Sequence, residues 1–115
     1  MNYTRIYSDK NGDSHFEIVE VPLVDFGSVG FLSATVEVSR FQFRENVPDY
    51  NWDFHVAPNR QFIILLDGEI EITTSLGEVR TFKGGDILLA EDTTGKGHKT
   101  KNLTKAKRKS LFIII

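Results

Sequence analysis

The 115-residue chain is predicted to fold as an all-β sandwich or barrel. Apolar and polar residues alternate within short segments, the pattern of strands whose successive side chains point to opposite faces. Turn residues separate these segments at intervals of about 8–12 residues. No window carries apolar residues at helical spacing behind a capping box.

The elements follow in order. "HFEIVEV", His15 to Val21, alternates strictly. "FLSATVEVSRFQF", Phe31 to Phe43, alternates over a span that suits two strands or one bent strand. "RENVPDYNWDFHVAPN" is the longest irregular stretch, and loops of that length in compact domains are often functional. "QFIILL" is continuously apolar, as expected of a strand buried on both faces. Asp67-Gly68 separates it from "EIEITT", which predicts a type I′ hairpin with positive φ at both central positions. "SLGE" turns into "VRTF", "KGGD" turns into "ILLAE", and "SLFIII" closes the chain. The organisation expected is a single domain, with an N-terminal arm and strand over residues 1–30 and the barrel over 31–115.

Composition removes several function classes. With no cysteine, thiolate metal sites, disulfides and cysteine nucleophiles are excluded. The N-terminus lacks the apolar core of a signal peptide, and "FIILL" and "LFIII" are too short to span a membrane, so a cytoplasmic protein is expected. A net charge of −2 gives no reason to expect nucleic acid. Seven of the 14 basic residues nevertheless lie between Lys96 and Lys109, in a run without acids. The run reads as a solvated loop, or as a device that steers an anionic ligand toward His98. No aromatic residue interleaves it, which argues against a stacking platform for single strands. "KGGD" lacks the Gly-Lys-Ser/Thr ending of a phosphate loop, and Gly-x-Ser-x-Gly is absent.

The residues able to carry chemistry are few. His55 and Ala57 share a face by alternation, and Gln61, Ile63 and Leu65 form the next inward set after Pro58. His55 suits a metal ligand or a general base. Gln61 suits a weak oxygen ligand or a hydrogen-bonding group. His98 follows the flexible "TTGKG" and precedes Asn102 by four positions. Glu91 and Asp92 are adjacent, so a strand sends them to opposite faces and at most one reaches the interior. His15 has no local feature to favour it.

These residues resemble the two motifs of the cupin superfamily. In "HVAPNRQFIILLDG", His55 takes the place of the first histidine, Ala57 that of the second, Gln61 that of the glutamate, and Gly68 that of the closing glycine. In "GDILLAEDTTGKGHKTKN", Gly85 opens the second motif, Glu91 replaces its proline, and His98 and Asn102 keep the His-x3-Asn spacing after a two-residue expansion. The resemblance covers roughly Phe31 to Ile115 and implies a jelly-roll barrel with a ligand cavity. Family members typically hold one divalent metal through three histidines and a glutamate. The set left here would be His55, Gln61 and His98, suited to Zn, Fe, Ni or Cu.

Three functions follow as expectations from the resemblance. One is a metal-dependent oxygenase or isomerase of a small organic acid or sugar derivative. Another is a metal-free isomerase with His55 or His98 as acid/base, and with Arg60, Arg44 or the lysine run holding an anionic group. The third is a non-catalytic binding or sensing module. Trp52 and Asp92 join Arg44 and Arg60 as candidate substrate contacts. A homodimer is expected, exchanging the early "HFEIVEV" strand.

Overall fold

The structure is a computed structural model that describes residues 1–115. Its twelve strands are β1 Asn2–Ser8, β2 Ser14–Glu20, β3 Val24–Asp25, β4 Phe31–Leu32, β5 Arg40–Asn46 and β6 Asn51–His55, followed by β7 Gln61–Leu65, β8 Glu69–Thr74, β9 Val79–Lys83, β10 Ile87–Ala90, β11 His98–Asn102 and β12 Arg108–Ile114. The only helical element is a 3₁₀ turn, Gly27–Val29. No helix is long and apolar enough to cross a membrane.

The strand order defines the architecture. One sheet runs β2-β1-β10-β7-β12-β5, and the other runs β6-β11-β8-β9. From β5 onward every consecutive pair of strands lies in opposite sheets, except the β8–β9 hairpin. Eight strands wound in this way across two sheets form a jelly roll. The β1–β2 hairpin extends the larger sheet, with β1 parallel to β10. β3 and β4 pair only with each other and form a separate arm.

This winding corrects the hairpin expected at Asp67-Gly68. β7 and β8 belong to different sheets, so the dipeptide makes a corner between them rather than a hairpin. Gly68 has φ +71°, while no non-glycine residue has positive φ, so the type I′ geometry is absent. The glycine serves another purpose. A Cβ there would lie 3.0 Å from Cγ of Arg108, so its bare backbone makes room for that side chain.

Other expectations shift for related reasons. The stretch read as irregular contains the end of β5 and all of β6, whose polar and aromatic residues hide their alternation. Phe31 to Phe43 divides into β4, an irregular segment, and β5. The early strand spans Ser14–Glu20 and pairs with β1, which the sequence reading missed because Ile6 is its single buried apolar residue. β7 is buried on one face only. Gln61 and Leu65 turn inward, while Phe62 and Ile64 line a groove on the outside of the sheet.

The core cluster is Ile6, Phe16, Leu65, Ile70, Ile72, Phe82 and Leu88, drawn from both sheets. A second glycine sets a close approach within the smaller sheet, between the start of β11 and the end of β6. Gly97, at φ +72°, has its Cα against the backbone of His55, and a Cβ would overlap the His55 carbonyl group. Gly77 has φ +91° but open space around it. Both positions strain an alanine, and only Gly97 adds a backbone collision. Gly97→Ala should therefore lower the melting temperature by roughly 10 °C more than Gly77→Ala. Equal losses in thermal unfolding would show that the close approach carries no weight.

Candidate functional site

The two histidines separated by 43 positions meet on one rung. β11 pairs with β6 in a register that sets His98 opposite His55, with a shift between His98 and Thr100. Their ring centroids are 4.7 Å apart. His98 is buried, and its Nδ1 donates to Oδ2 of Asp92 at 2.5 Å. Because a carboxylate only accepts, Nδ1 carries the proton and Nε2 remains as the nitrogen available to the cavity. Asp92 is 0% exposed, and its backbone carbonyl also accepts the N–H of Ala57 at 3.0 Å. One residue thus ties the strand-end segment after His55 to His98. Its Oδ1 is buried without a partner.

His55 is fixed from two sides. Its Nδ1 donates to the carbonyl of Asp53 at 2.8 Å, which again leaves Nε2 free. The Trp52 indole stacks on its ring with centroids 3.8 Å apart. Burial pushes the imidazole below its ordinary value, and the charge of His98 acts in the same direction against the Asp53 hydrogen bond. The lowered pKa favours the neutral form of the His55 imidazole.

These side chains open into a cavity of about 140 Å³ between the sheets. Ile6, Ile70, Ile72 and Leu88 floor it, continuous with the core. Gln61 and Ala57, both buried, form part of its wall. Arg44, Asn46, Tyr50 and Arg108 also line it, and no Asp or Glu does. Arg108 is 3% exposed, and neither it nor Arg44 forms an ion pair. Arg108 Nε donates to Oδ1 of Asn102 at 3.1 Å, and its guanidinium faces the Tyr50 ring at 5.6 Å. Arg44 stacks on Phe112 at 3.7 Å and donates to Gln42. Burial lowers the pKa of both guanidiniums and raises that of the Tyr50 phenol.

Most of the expected site residues come together. His55, Gln61, His98, Arg44 and Trp52 line one cavity. Asp92 sits behind His98 rather than on the wall. Arg60 lies outside, where its Nε donates to Glu91 at 2.6 Å. Glu91 also accepts from Arg5 at 2.6 Å, so the adjacent acids do diverge, with Asp92 inside and Glu91 outside. Asn102 has a supporting role. Its amide donates to the carbonyls of Val47 and Pro48 while its oxygen holds Arg108. The sequence reading missed Arg108, Tyr50 and Asn46. The signal for Arg108 was present, since Arg108, Ser110 and Phe112 continue the inward period of the last strand into the basic run.

A metal on this rung would draw on Nε2 of His55 and His98 and on Gln61. No group of three or more His, Cys, Asp or Glu side chains converges on one point. The donor set is neutral, and the only formal charges on the wall are two guanidiniums. A divalent cation would meet two guanidiniums on the wall and no carboxylate ligand, since Asp92 lies behind His98 and is bonded to its Nδ1. The residues present do not fit a resident divalent metal.

No protein-family model matches the chain, and no curated protein matches it. Solved structures similar to it include the cupin domain of Cnp3 from Schizosaccharomyces pombe, at 12% identity over 100% of this chain and 83% of that one, with a TM-score of 0.46. Protein NMB1881 from Neisseria meningitidis aligns at 14% identity over 69% of this chain and 80% of that one, also with a TM-score of 0.46. A putative ethanolamine utilization protein Q from Salmonella typhimurium LT2 aligns at 14% identity over 99% and 94% of the two chains, with a TM-score of 0.32. By its strand order, the fold of this chain is a jelly roll.

Glu91 gives the site a pH dependence in stability. Burial alone would raise its pKa, but the hydrogen bonds from Arg60 and Arg5 outweigh it and hold the carboxyl below its ordinary 4.5. A lowered folded-state pKa contributes stability above about 4.5 that is lost as pH falls through the folded value. The difference in melting temperature between wild type and Glu91→Gln should be largest near pH 6 and shrink below pH ~4.5. A difference that stays constant down to pH 3 would contradict this assignment.

Proposed function

We propose that the cavity binds a small organic anion without a metal, and that the His98–Asp92 pair exchanges a proton with it. The observation that carries this reading is the charge of the wall, two guanidiniums without a carboxylate, beside a histidine whose Nδ1 is held by a buried acid. A cavity of that charge attracts an anion. An imidazole oriented by a carboxylate through Nδ1 offers Nε2 as acid or base. His55 stands next to it on the same rung. The reaction this favours is isomerisation of a small organic acid or sugar derivative through removal of a proton beside a carbonyl or carboxylate.

The test uses small carboxylates and sugar phosphates in thermal-shift measurements with and without EDTA. Binders should raise the melting temperature equally in both conditions. For those binders, proton NMR in D2O should show exchange at the carbon beside the carbonyl. Asp92→Asn should slow that exchange by about 10²-fold or more while the thermal shift persists. Stabilisation that requires added Zn, Fe, Ni or Cu would overturn the metal-free reading. Binding without exchange for any compound would leave a non-catalytic binding module.

We also propose a homodimer, on a separate observation. An apolar groove of about 590 Å³ lies on the outside of the larger sheet, lined by Tyr3, Phe62, Ile64, Ile87 and Ile113 among others. Beside it the β3–β4 arm is bonded to no other strand, and Val29 and Phe31 on it are 72% and 66% exposed. Val24 of the arm and Ser33, Ala34, Thr35, Val36 and Val38 after it form one wall of this groove, which stays open beyond them, and the exposed apolar tip of the arm suits the same groove of a second copy related by a two-fold axis. The exchanged element is then the arm rather than β2, which already pairs with β1. Light scattering at micromolar concentration should give twice the 13.1 kDa chain mass. Ile64→Glu should give the monomer, and a wild-type monomer would contradict the proposal.

A further inference from the structure

The inward face at the β5–β12 edge carries a compact block of four polar side chains. The register pairs Arg108 with Asn46 and Ser110 with Arg44. Directly paired residues of an antiparallel ladder share a face, and so do residues two apart on one strand. All four therefore project to the same side, which is the cavity side, since Arg44, Asn46 and Arg108 line it. Arg44 and Arg108 are diagonal neighbours, about 7–8 Å apart at the backbone, a spacing that long side chains close readily.

Each member of this block has unused capacity. Neither arginine meets a carboxylate, although each has given Nε to a neutral amide, Arg44 to Gln42 and Arg108 to Asn102. Their terminal nitrogens remain for another acceptor. The Ser110 hydroxyl and the Asn46 side-chain oxygen are both buried without a hydrogen-bond partner. An amide flip would turn the Asn46 nitrogen to the same point. The Tyr50 phenol lies close enough that both arginines act on its charge. Asp67, the acid whose charge acts on Arg108, accepts the backbone N–H of Lys109 at 2.6 Å and pairs with the Lys109 ammonium at 3.8 Å.

We propose that this block is a cradle for one tetrahedral dianion, the phosphate of a small phosphate monoester whose organic part extends toward His55 and His98. The proposal rests on the anion-cavity reading above and gives the anion its chemical class. The reason is charge and donor count. A single carboxylate brings one charge and two oxygens, which leaves one guanidinium without a counter-charge. A phosphate monoester brings close to two charges and three terminal oxygens at neutral pH. Two guanidiniums, the Ser110 hydroxyl and the Tyr50 hydroxyl match those oxygens, in the charge-assisted geometry arginine favours with phosphate. The ligand is then held at one end of the cavity by charge, while the histidine rung meets the carbon skeleton at the other.

Isothermal titration in EDTA, at fixed ionic strength, tests this with inorganic phosphate, sulfate, ethyl phosphate, malonate and acetate. Phosphate, sulfate and ethyl phosphate should bind at one site, and acetate should not bind measurably. Ethyl phosphate should bind more tightly than free phosphate if the natural occupant is an ester, and more weakly if it is inorganic phosphate. Arg108→Met and Arg44→Met should each weaken phosphate by at least about tenfold. The exposed-run control Lys105→Gln/Lys107→Gln should leave it unchanged. Should Arg108→Met fail to fold, Arg44→Met and a phosphorus NMR titration of wild type carry the test. Arginine-dependent binding of malonate or acetate without phosphate would overturn the phosphate assignment and leave the anion cavity standing. Phosphate binding that neither arginine substitution changes would overturn the cradle. Absence of binding by all five anions would remove both.

Discussion

Positive charge on the wall of a cavity that no carboxylate lines is the constraint on which the interior is organised. A guanidinium withdrawn from water is costly unless it is paired and hydrogen-bonded. Arg108 is almost fully buried, yet its partners are an asparagine oxygen and a tyrosine face. The surrounding structure is shaped to keep it there. Gly68 turns the corner between β7 and β8 without a side chain, leaving room for the Arg108 stem. Asn102 spends its oxygen on Arg108 and its amide on the turn that precedes β6. This network holds a buried guanidinium that forms no ion pair, which is the basis of the anion site proposed above.

At the other end of the cavity the determining residue is Asp92. Its backbone closes on Ala57 and its side chain on His98, so the two halves of the site share one support. Gly97 lets the β11 side come against the backbone of His55. Ala57 and Gln61 stand on the wall beside the histidine rung, and the formal charges on that wall are those of Arg44 and Arg108.

The fold was legible because strand period and turn residues survive in most segments, and the histidine pair because motif spacing ties His55 to His98. The winding was not legible at Asp67-Gly68, since the same dipeptide serves a hairpin or a corner and only the partner strands decide. β1 and β6 were missed because their inward positions carry few aliphatic side chains. Arg108 was hidden by its neighbours. Lys105, Lys107 and Lys109 are exposed, and a charge run says nothing about which member faces inward until the strand register is known. Arg60 misled for the opposite reason, being next to the motif in sequence but bonded to Glu91 on the outer surface.

Whether Arg108 is kept for a ligand or for the fold is measured most directly by the melting temperature of ligand-free Arg108→Met. Methionine fills the space of the arginine stem and removes the charge. If the charge is uncompensated in the empty cavity, the variant should melt at the wild-type temperature or above it. A fall of roughly 10 °C or more would mean that the guanidinium is a structural element of the sandwich, and the anion cavity would lose its foundation.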